Sequence, residues 1–299
     1  MKLSICICAF NRNKSLEKCI KSLNKIKKKT KIKINIIIVD NSKNNNLLKI
    51  KKKLIKISKY KIIFLSEKKR GIVFARNKYL KKLKIINPDY VAFFDDDCIV
   101  NKYWLENSLK IVNLKKADVV TGPQIYLNKN ATNYSQLFEK RYGDKKIYQV
   151  KWAASNNVLI KYKVLKKKKL FFDKKLNKFG VGEDQLFFSN INRLGYKIFW
   201  NNNIKVYEKI HNHRQNYKWL IERSYRLGVL GHYLDKNQYG NLSGLFLNYL
   251  KSIYYLSKSI ISILYWNNNY VEKILNYFIR FYGRLVGPFV FKKINFYQK

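Results

Sequence analysis

The chain has 299 residues, with 63 Lys and Arg against 18 Asp and Glu, a formal net charge of +45 and a hydrophobic content of 47%. That content at that length excludes a disordered chain and allows a sizeable core, as one large domain or one domain with an appendage. The charge favours polyanions and anionic lipid. It is also what A/T-rich codon usage yields, since 53 of the basic residues are Lys and Asn, Ile and Tyr are abundant.

In chain order, LSICICAF (3–10) predicts a buried strand, with Cys6 and Cys8 on one face. Asn11 and Arg12 predict a turn and Ser15 a helix start, followed by Leu16, Ile20, Leu23 and Ile26 on one helical face. KINIIIVD (33–40) and KIIFL (61–65) predict two further strands. Gly71 opens a helical stretch containing Arg76. YVAFF (90–94) and ADVVTG (117–122) predict a fourth and a fifth strand, with a helix beginning near Asn101 between them. Strands alternating with helices at this spacing imply an α/β layer with a mostly parallel sheet, whose ligands sit at the carboxyl ends of the strands. Asp40 and Asp95, Asp96 and Asp97 stand at two such ends. FGVGEDQLFFSNINRLGYKIFW (179–200) predicts a glycine turn, an acidic pair, a helix and a strand.

From about 214 onward the pattern is helical and aromatic. Residues 245–266 predict an amphipathic helix suited to a membrane interface, with Trp266 at the polar boundary, or to packing on the domain or on another subunit. No stretch reaches 18 uncharged apolar residues, so a spanning helix is not predicted. The four cysteines form no Cys-x-x-Cys pair, so neither zinc nor an oxidising compartment is expected.

Two clusters carry chemistry. Side-by-side aspartates repel, and a nearby cation stabilises their ionised state. Hard carboxylate oxygens suit Mg²⁺ or Mn²⁺, whose shell is completed by phosphate oxygens, so Asp95–Asp97 suit a nucleoside diphosphate. The bland alternative is a solvated turn capping the next helix. In Gly180-Val181-Gly182-Glu183-Asp184, the glycines allow close backbone approach, and a carboxylate at a helix N-terminus can act as a general base. Here the bland alternative is N-capping by Asp184.

Six motifs in order, CAFNR (8–12), VDNS (39–42), RGIVFARN (70–77), FFDDD (93–97), WAASNNVL (152–159) and GEDQ (182–185), resemble the inverting family 2 glycosyltransferases. The resemblance covers roughly residues 1–230. It implies a GT-A fold, a Rossmann-like, mostly parallel sheet flanked by helices, here with a helical, aromatic and basic extension over 231–299. It implies that Phe10 and Asn11 lie by the base, that Asp40 binds uracil or ribose, and that Arg76 faces base or diphosphate. Asp97 would hold Mn²⁺ or Mg²⁺ with Asp95 assisting, and Asp96 would lie near the ribose. Asp184 would be the catalytic base and Glu183 would orient acceptor or donor sugar. Trp152, Asn156 and Asn157 would line the sugar and acceptor pocket. Many relatives carry a histidine after the last core strand. Here VYEKIHNHR (206–214) puts Glu208 at that place and His211 and His213 later, so Glu208 and His213 are candidate third metal ligands.

The expected partners are a nucleotide sugar, UDP-linked by preference, and a glycan or lipid-linked acceptor. The expected location is the cytoplasm, with peripheral association at an anionic membrane face. A phosphoryl- or nucleotidyl-transfer enzyme is the alternative from the carboxylates, though no G-x-x-x-x-G-K is present. A non-catalytic basic module for nucleic acid or membrane is the alternative from the charge. It leaves unexplained why scarce acids gather at strand ends, and no specific nucleic-acid partner is expected.

Overall fold

A computed structural model describes residues 1–28, 31–43, 46–127, 146–166, 170–264 and 269–296. The described residues fall into two compact units. The first holds Met1–Leu127, the described part of 146–177, and Glu183–Lys209; the second holds Lys178–Gly182 and the chain from Ile210 onward. Trp266 lies outside the described residues.

The first unit is built on an eight-stranded sheet. Its strands are β1 (Lys2–Ala9), β2 (Lys33–Asp40), β3 (Lys61–Ser66), β4 (Tyr90–Asp95), β6 (Val119–Thr121), β8 (Ile147–Val150), β9 (Asn157–Lys161) and β10 (Ile198–Asn201). Their order is β3-β2-β1-β4-β9-β6-β10-β8. β3, β2, β1 and β4 run parallel, as do β6 and β10. β9 is antiparallel to both β4 and β6 and divides the two parallel blocks. A smaller sheet pairs β5 (Ile99–Val100) and β7 (Gln124–Tyr126) with β11 (Val206–Glu208).

Side-chain alternation places the core on both faces of the large sheet. Leu3, Ile5, Ile7, Ile36 and Ile38 pack with Leu16, Ile20 and Leu23 of α1 (Asn13–Leu23), Leu54 of α2 (Lys51–Ile57) and Trp104 of α4 (Trp104–Leu114). Cys6, Ile37, Val39, Val91 and Phe93 face the other way. They meet Val73, Tyr79 and Leu83 of α3 (Ile72–Ile86), Tyr162 and Val164 of α5 (Tyr162–Lys166), and Phe187 and Ile191 of α6 (Glu183–Arg193). All four cysteines are free thiols, and Cys6 and Cys8 share one face as expected.

Some boundaries differ from the sequence expectation. α1 begins at Asn13, with Arg12 rather than Ser15 at its start and no side-chain cap. Ile26 is buried but lies past the end of that helix. The short β5 intervenes before α4, which starts at Trp104 rather than near Asn101.

In the second unit, α7 (Tyr217–Tyr239), α8 (Asn241–Leu264) and α9 (Tyr270–Val290) pack on one another. The Asn216 side chain caps α7 by accepting from Trp219 N–H at 2.9 Å. Among the described residues no helix is long and apolar enough to cross a membrane.

Candidate active site

Strand register gathers the acidic cluster. In the parallel pairing of β1 and β4, Cys8 stands opposite Asp95, and in that of β1 and β2, Ala9 stands opposite Asp40. Phe10–Arg12, Asn41–Ser42 and Asp96–Asp97 therefore leave the sheet side by side, at its carboxyl edge. β9 runs the other way and begins there, with Asn157 opposite Phe94, so Trp152–Asn156 lead into the same edge. Tyr207 of β11 stands opposite Ile99, which brings Glu208 across from Cys98.

The centre of the cluster is cationic. Arg12 Nη1 donates to Asp96 Oδ1 at 3.0 Å and also to Asp97 Oδ2. Phe10 N–H donates to Asp96 Oδ2 at 3.0 Å. Burial of Asp96 pushes it up to about 7; Arg12 and the Phe10 N–H oppose this, while Asp97 and Asp95 add to it. Burial works against the Arg12 charge, but Asp96, Asp97, Asp95 and Glu208 outweigh it and raise the guanidinium. Asp96 and Asp97, with side chains 5% and 6% exposed, are therefore not a freely solvated helix-capping turn.

A second ion pair lies beside it. Arg76, in the second turn of α3, donates through Nη1 to Glu183 Oε1 at 2.7 Å, and its Nη2 is 3.7 Å from Asp95 Oδ1. Burial raises Glu183, Asp184 adds to this and Arg76 opposes it. Glu183 Oε2 is buried with no hydrogen-bond partner among the described residues. Asp184 lies in the first turn of α6 and is not its cap. Its Oδ1 accepts from Gln185 N–H at 2.7 Å and its Oδ2 from Ser155 N–H at 3.4 Å.

Other expected residues take quieter positions. The Asp40 carboxylate organises its own loop, accepting from Ser42 N–H and Oγ at 2.9 and 2.7 Å and from Leu47 N–H at 3.0 Å. Asn11 has a left-handed backbone, φ 55°, and accepts from Asn46 Nδ2 at 2.8 Å. The Phe10 ring is 39% exposed, with the Arg70 guanidinium 5.9 Å from its centroid. Asn156 donates to Gln124, and Trp152 packs half-buried on the core. The Asn157 amide is fully buried and committed to the frame. It accepts from Trp104 Nε1 at 2.7 Å and donates to Pro123 O and Ile204 O at 3.1 and 2.7 Å, so its side chain has no face left to line a pocket.

His211 and His213 belong to the second unit, where their rings stack with centroids 5.6 Å apart. Glu208 is buried in the first unit, on the strand that reaches the acidic cluster. Sequence reasoning missed the pairing of Arg12 with the aspartates and the role of Ser155. Arg12 stood inside a quoted motif, but its partners lie 84 and 85 residues away. A backbone N–H leaves no mark in a sequence.

The family model for glycosyl transferase family 2 matches residues 4–189. The chain belongs to glycosyl transferase family 2, and it is a glycosyltransferase. No curated protein matches its sequence. Among solved structures, it is similar to the mannosyltransferase PcManGT from Pyrobaculum calidifontis, in complex with GDP-Man and Mn2+. The TM-score is 0.62 at 12% identity, over 96% of this chain and 87% of that one. It is also similar to S. aureus TarS 1-349 in complex with UDP-GlcNAc, with a TM-score of 0.58 at 16% identity, over 96% and 91% of the two chains. Against the longer TarS structure it covers 43% of that chain. These likenesses show the GT-A fold.

Proposed function

We propose that the protein is an inverting glycosyltransferase that moves a sugar from a nucleotide-sugar donor, UDP-linked by preference, to a hydroxyl of a glycan or lipid-linked acceptor. The observation that carries this reading is the convergence, at one sheet edge, of the Asp95–Asp97 cluster with the Glu183–Asp184 pair through Arg76. Solved relatives of this fold hold UDP-GlcNAc, or GDP-Man with Mn2+, which supports a nucleotide sugar and a divalent cation here too.

Among the described residues no group of three or more His, Cys, Asp or Glu is placed to hold a metal ion, so Mn²⁺ or Mg²⁺ is proposed here on the chemistry of the carboxylates. Asp96 and Asp97 already converge on one cationic group, Arg12, and their oxygens are hard ligands. Asp97 with Asp95 would hold the ion, and Glu208 on the neighbouring strand is better supported than His213 as a third carboxylate or imidazole partner. Bound there, the ion would offset charge on the leaving diphosphate. The half-exposed Phe10 ring beside Arg70 suits a flat base. Asp40 acts by shaping the loop next to it, and Arg76 by fixing Glu183 beside Asp95.

Asp184 takes the proton from the acceptor hydroxyl. The N–H groups of Ser155 and Gln185 fix the carboxylate so that it can do so. The oxygen attacks the anomeric carbon from the face opposite the nucleotide as the bond from that carbon to the nucleoside diphosphate breaks, the diphosphate leaves with the electron pair, and the configuration inverts. Glu183, held by Arg76 beside Asp184, would orient acceptor or donor sugar. Trp152 and Asn156 flank the approach. The proposed setting is polysaccharide assembly at the cytoplasmic face of an anionic membrane.

The test is a panel of UDP-, GDP-, CMP- and dTDP-sugars, with binding followed by calorimetry at fixed Mn²⁺. Metal-dependent binding of one nucleotide class, lost in Asp97→Ala, supports the reading. No binding to any donor overturns it.

A further inference from the structure

Two helices of the second unit, α8 and α9, are built with reversed polarity. A helix in water packs its apolar face inward. On α8 the buried residues are instead Gly244, Asn248, Ser252 and Ser259. Its outward face carries Leu242, Phe246, Leu250, Ile253, Ile260 and Leu264, at spacings of three, four and seven, with Leu242 84% and Phe246 65% exposed. α9 repeats the pattern. Asn276, Gly283, Arg284 and Gly287 are buried, while Phe278, Tyr282 and Phe289 are exposed.

The inside is held by close approach and polar contacts. A Cβ on Gly228 would lie 2.9 Å from Gly283 Cα, and one on Gly244 would lie 2.6 Å from Lys236 Cα. Ser224 Oγ donates to Asn276 at 2.9 Å. Arg284 donates to Asp235 at 2.8 Å and to Asn248 at 3.0 Å. Small residues at the helix contacts with polar side chains as glue are how helices pack when their outer surface faces lipid rather than water. The charged residues of α8, Lys251 and Lys258, lie off the apolar face; Lys251 is tied to Asp235 and Lys258 sits 5.7 Å from the Tyr254 ring.

We propose that this outward face of α8 and α9 docks into the surface layer of an anionic membrane, with the helices lying in its plane. Lipid is favoured over a second copy by charge. A net charge of +45 repels a like chain and draws anionic headgroups, and Lys292 and Lys293 stand exposed just past α9. An in-plane position follows from the lack of any described helix fit to span. The inference deepens the membrane association proposed above by naming its surface, and it does not depend on which donor is used.

The experiment is flotation of the full chain with phosphatidylcholine vesicles, with and without 30% phosphatidylglycerol, for the wild type and for the triple variant Phe246→Ser, Ile253→Ser, Ile260→Ser. Each position is exposed, so the variant should fold, and circular dichroism with nucleotide-sugar binding checks that. The expected result is at least tenfold tighter binding to the anionic vesicles, and at least tenfold loss in the triple variant with donor binding unchanged. Phe246→Trp provides a second readout, a blue shift of its fluorescence on the vesicles. Vesicle binding kept by the triple variant, or no shift, would assign the attraction to surface lysines and overturn the proposal. So would absence of vesicle binding together with a dimer, seen by sedimentation, that the triple variant dissociates. Loss of donor binding by the wild type with vesicle binding intact would overturn the transferase reading alone.

Discussion

Arg76 and Glu183, 107 residues apart, form an ion pair at 2.7 Å in which both side chains are under a tenth exposed. The pair ties the second turn of α3 to the first turn of α6, and so ties the side of the site that holds Asp95 to the side that holds Asp184. Removing one partner strands the other charge in the interior. Arg76→Met should lower unfolding free energy by about 3–5 kcal/mol. Arg76→Met with Glu183→Leu should recover part of that loss in urea denaturation while leaving transfer activity low.

Arg12 is the resident cation of the aspartate cluster, so a divalent ion has to compete with it. Without nucleotide, Arg12→Gln should bind Mn²⁺ about tenfold more tightly than the wild type, a difference of about 1.4 kcal/mol. Electron paramagnetic resonance of free Mn²⁺ reads this directly. Weaker binding in the variant would mean that Arg12 supports the site rather than competing for it.

Asn157 separates a frame role from a pocket role. Asn157→Ala leaves the buried Trp104 Nε1–H without its acceptor and should cost about 1–3 kcal/mol. A clear fall in the melting temperature is expected, with the donor dissociation constant changed less than threefold once the protein is folded.

His232, on α7, gives the helical unit a pH dependence. Burial lowers its imidazole, Lys236 and Arg284 lower it further and Asp235 opposes them; its Nδ1 is buried without a partner among the described residues. The unfolded chain therefore binds this proton more readily than the folded one. The contribution to stability is complete above the ordinary imidazole value of about 6.5 and is lost as pH falls through the lowered folded value. Denaturation midpoints from pH 8 to 5 should fall less steeply in His232→Gln.

The acidic edge of the sheet is legible in the sequence because the parallel strands are short apolar runs that end on acids. KINIIIVD and YVAFF give β2 and β4, ending at Asp40 and Asp95, and a parallel sheet gathers such ends on one edge. β9 was harder to read. WAASNN interrupts the apolar pattern before it, and nothing local reveals that the strand enters antiparallel between β4 and β6. Asn157 is placed in the pocket by its position in the WAASNNVL motif of the family it resembles, whereas its partners are a tryptophan and two carbonyls brought close only by folding. The apolar stripe of 245–264 could be seen in sequence, but a stripe does not say which way it faces. Only the packing of Gly244, Asn248 and Ser252 inward shows that it points out.

Donor turnover by Asp184→Asn, beside the wild type and with the nucleotide sugar that binds, tests the proposed chemistry most directly. The substitution keeps the shape and an oxygen for the Ser155 and Gln185 N–H groups but removes the base. The predicted result is a donor dissociation constant within threefold of the wild type, with turnover reduced about 10²- to 10⁴-fold. Turnover within tenfold of the wild type would contradict Asp184 as the proton acceptor.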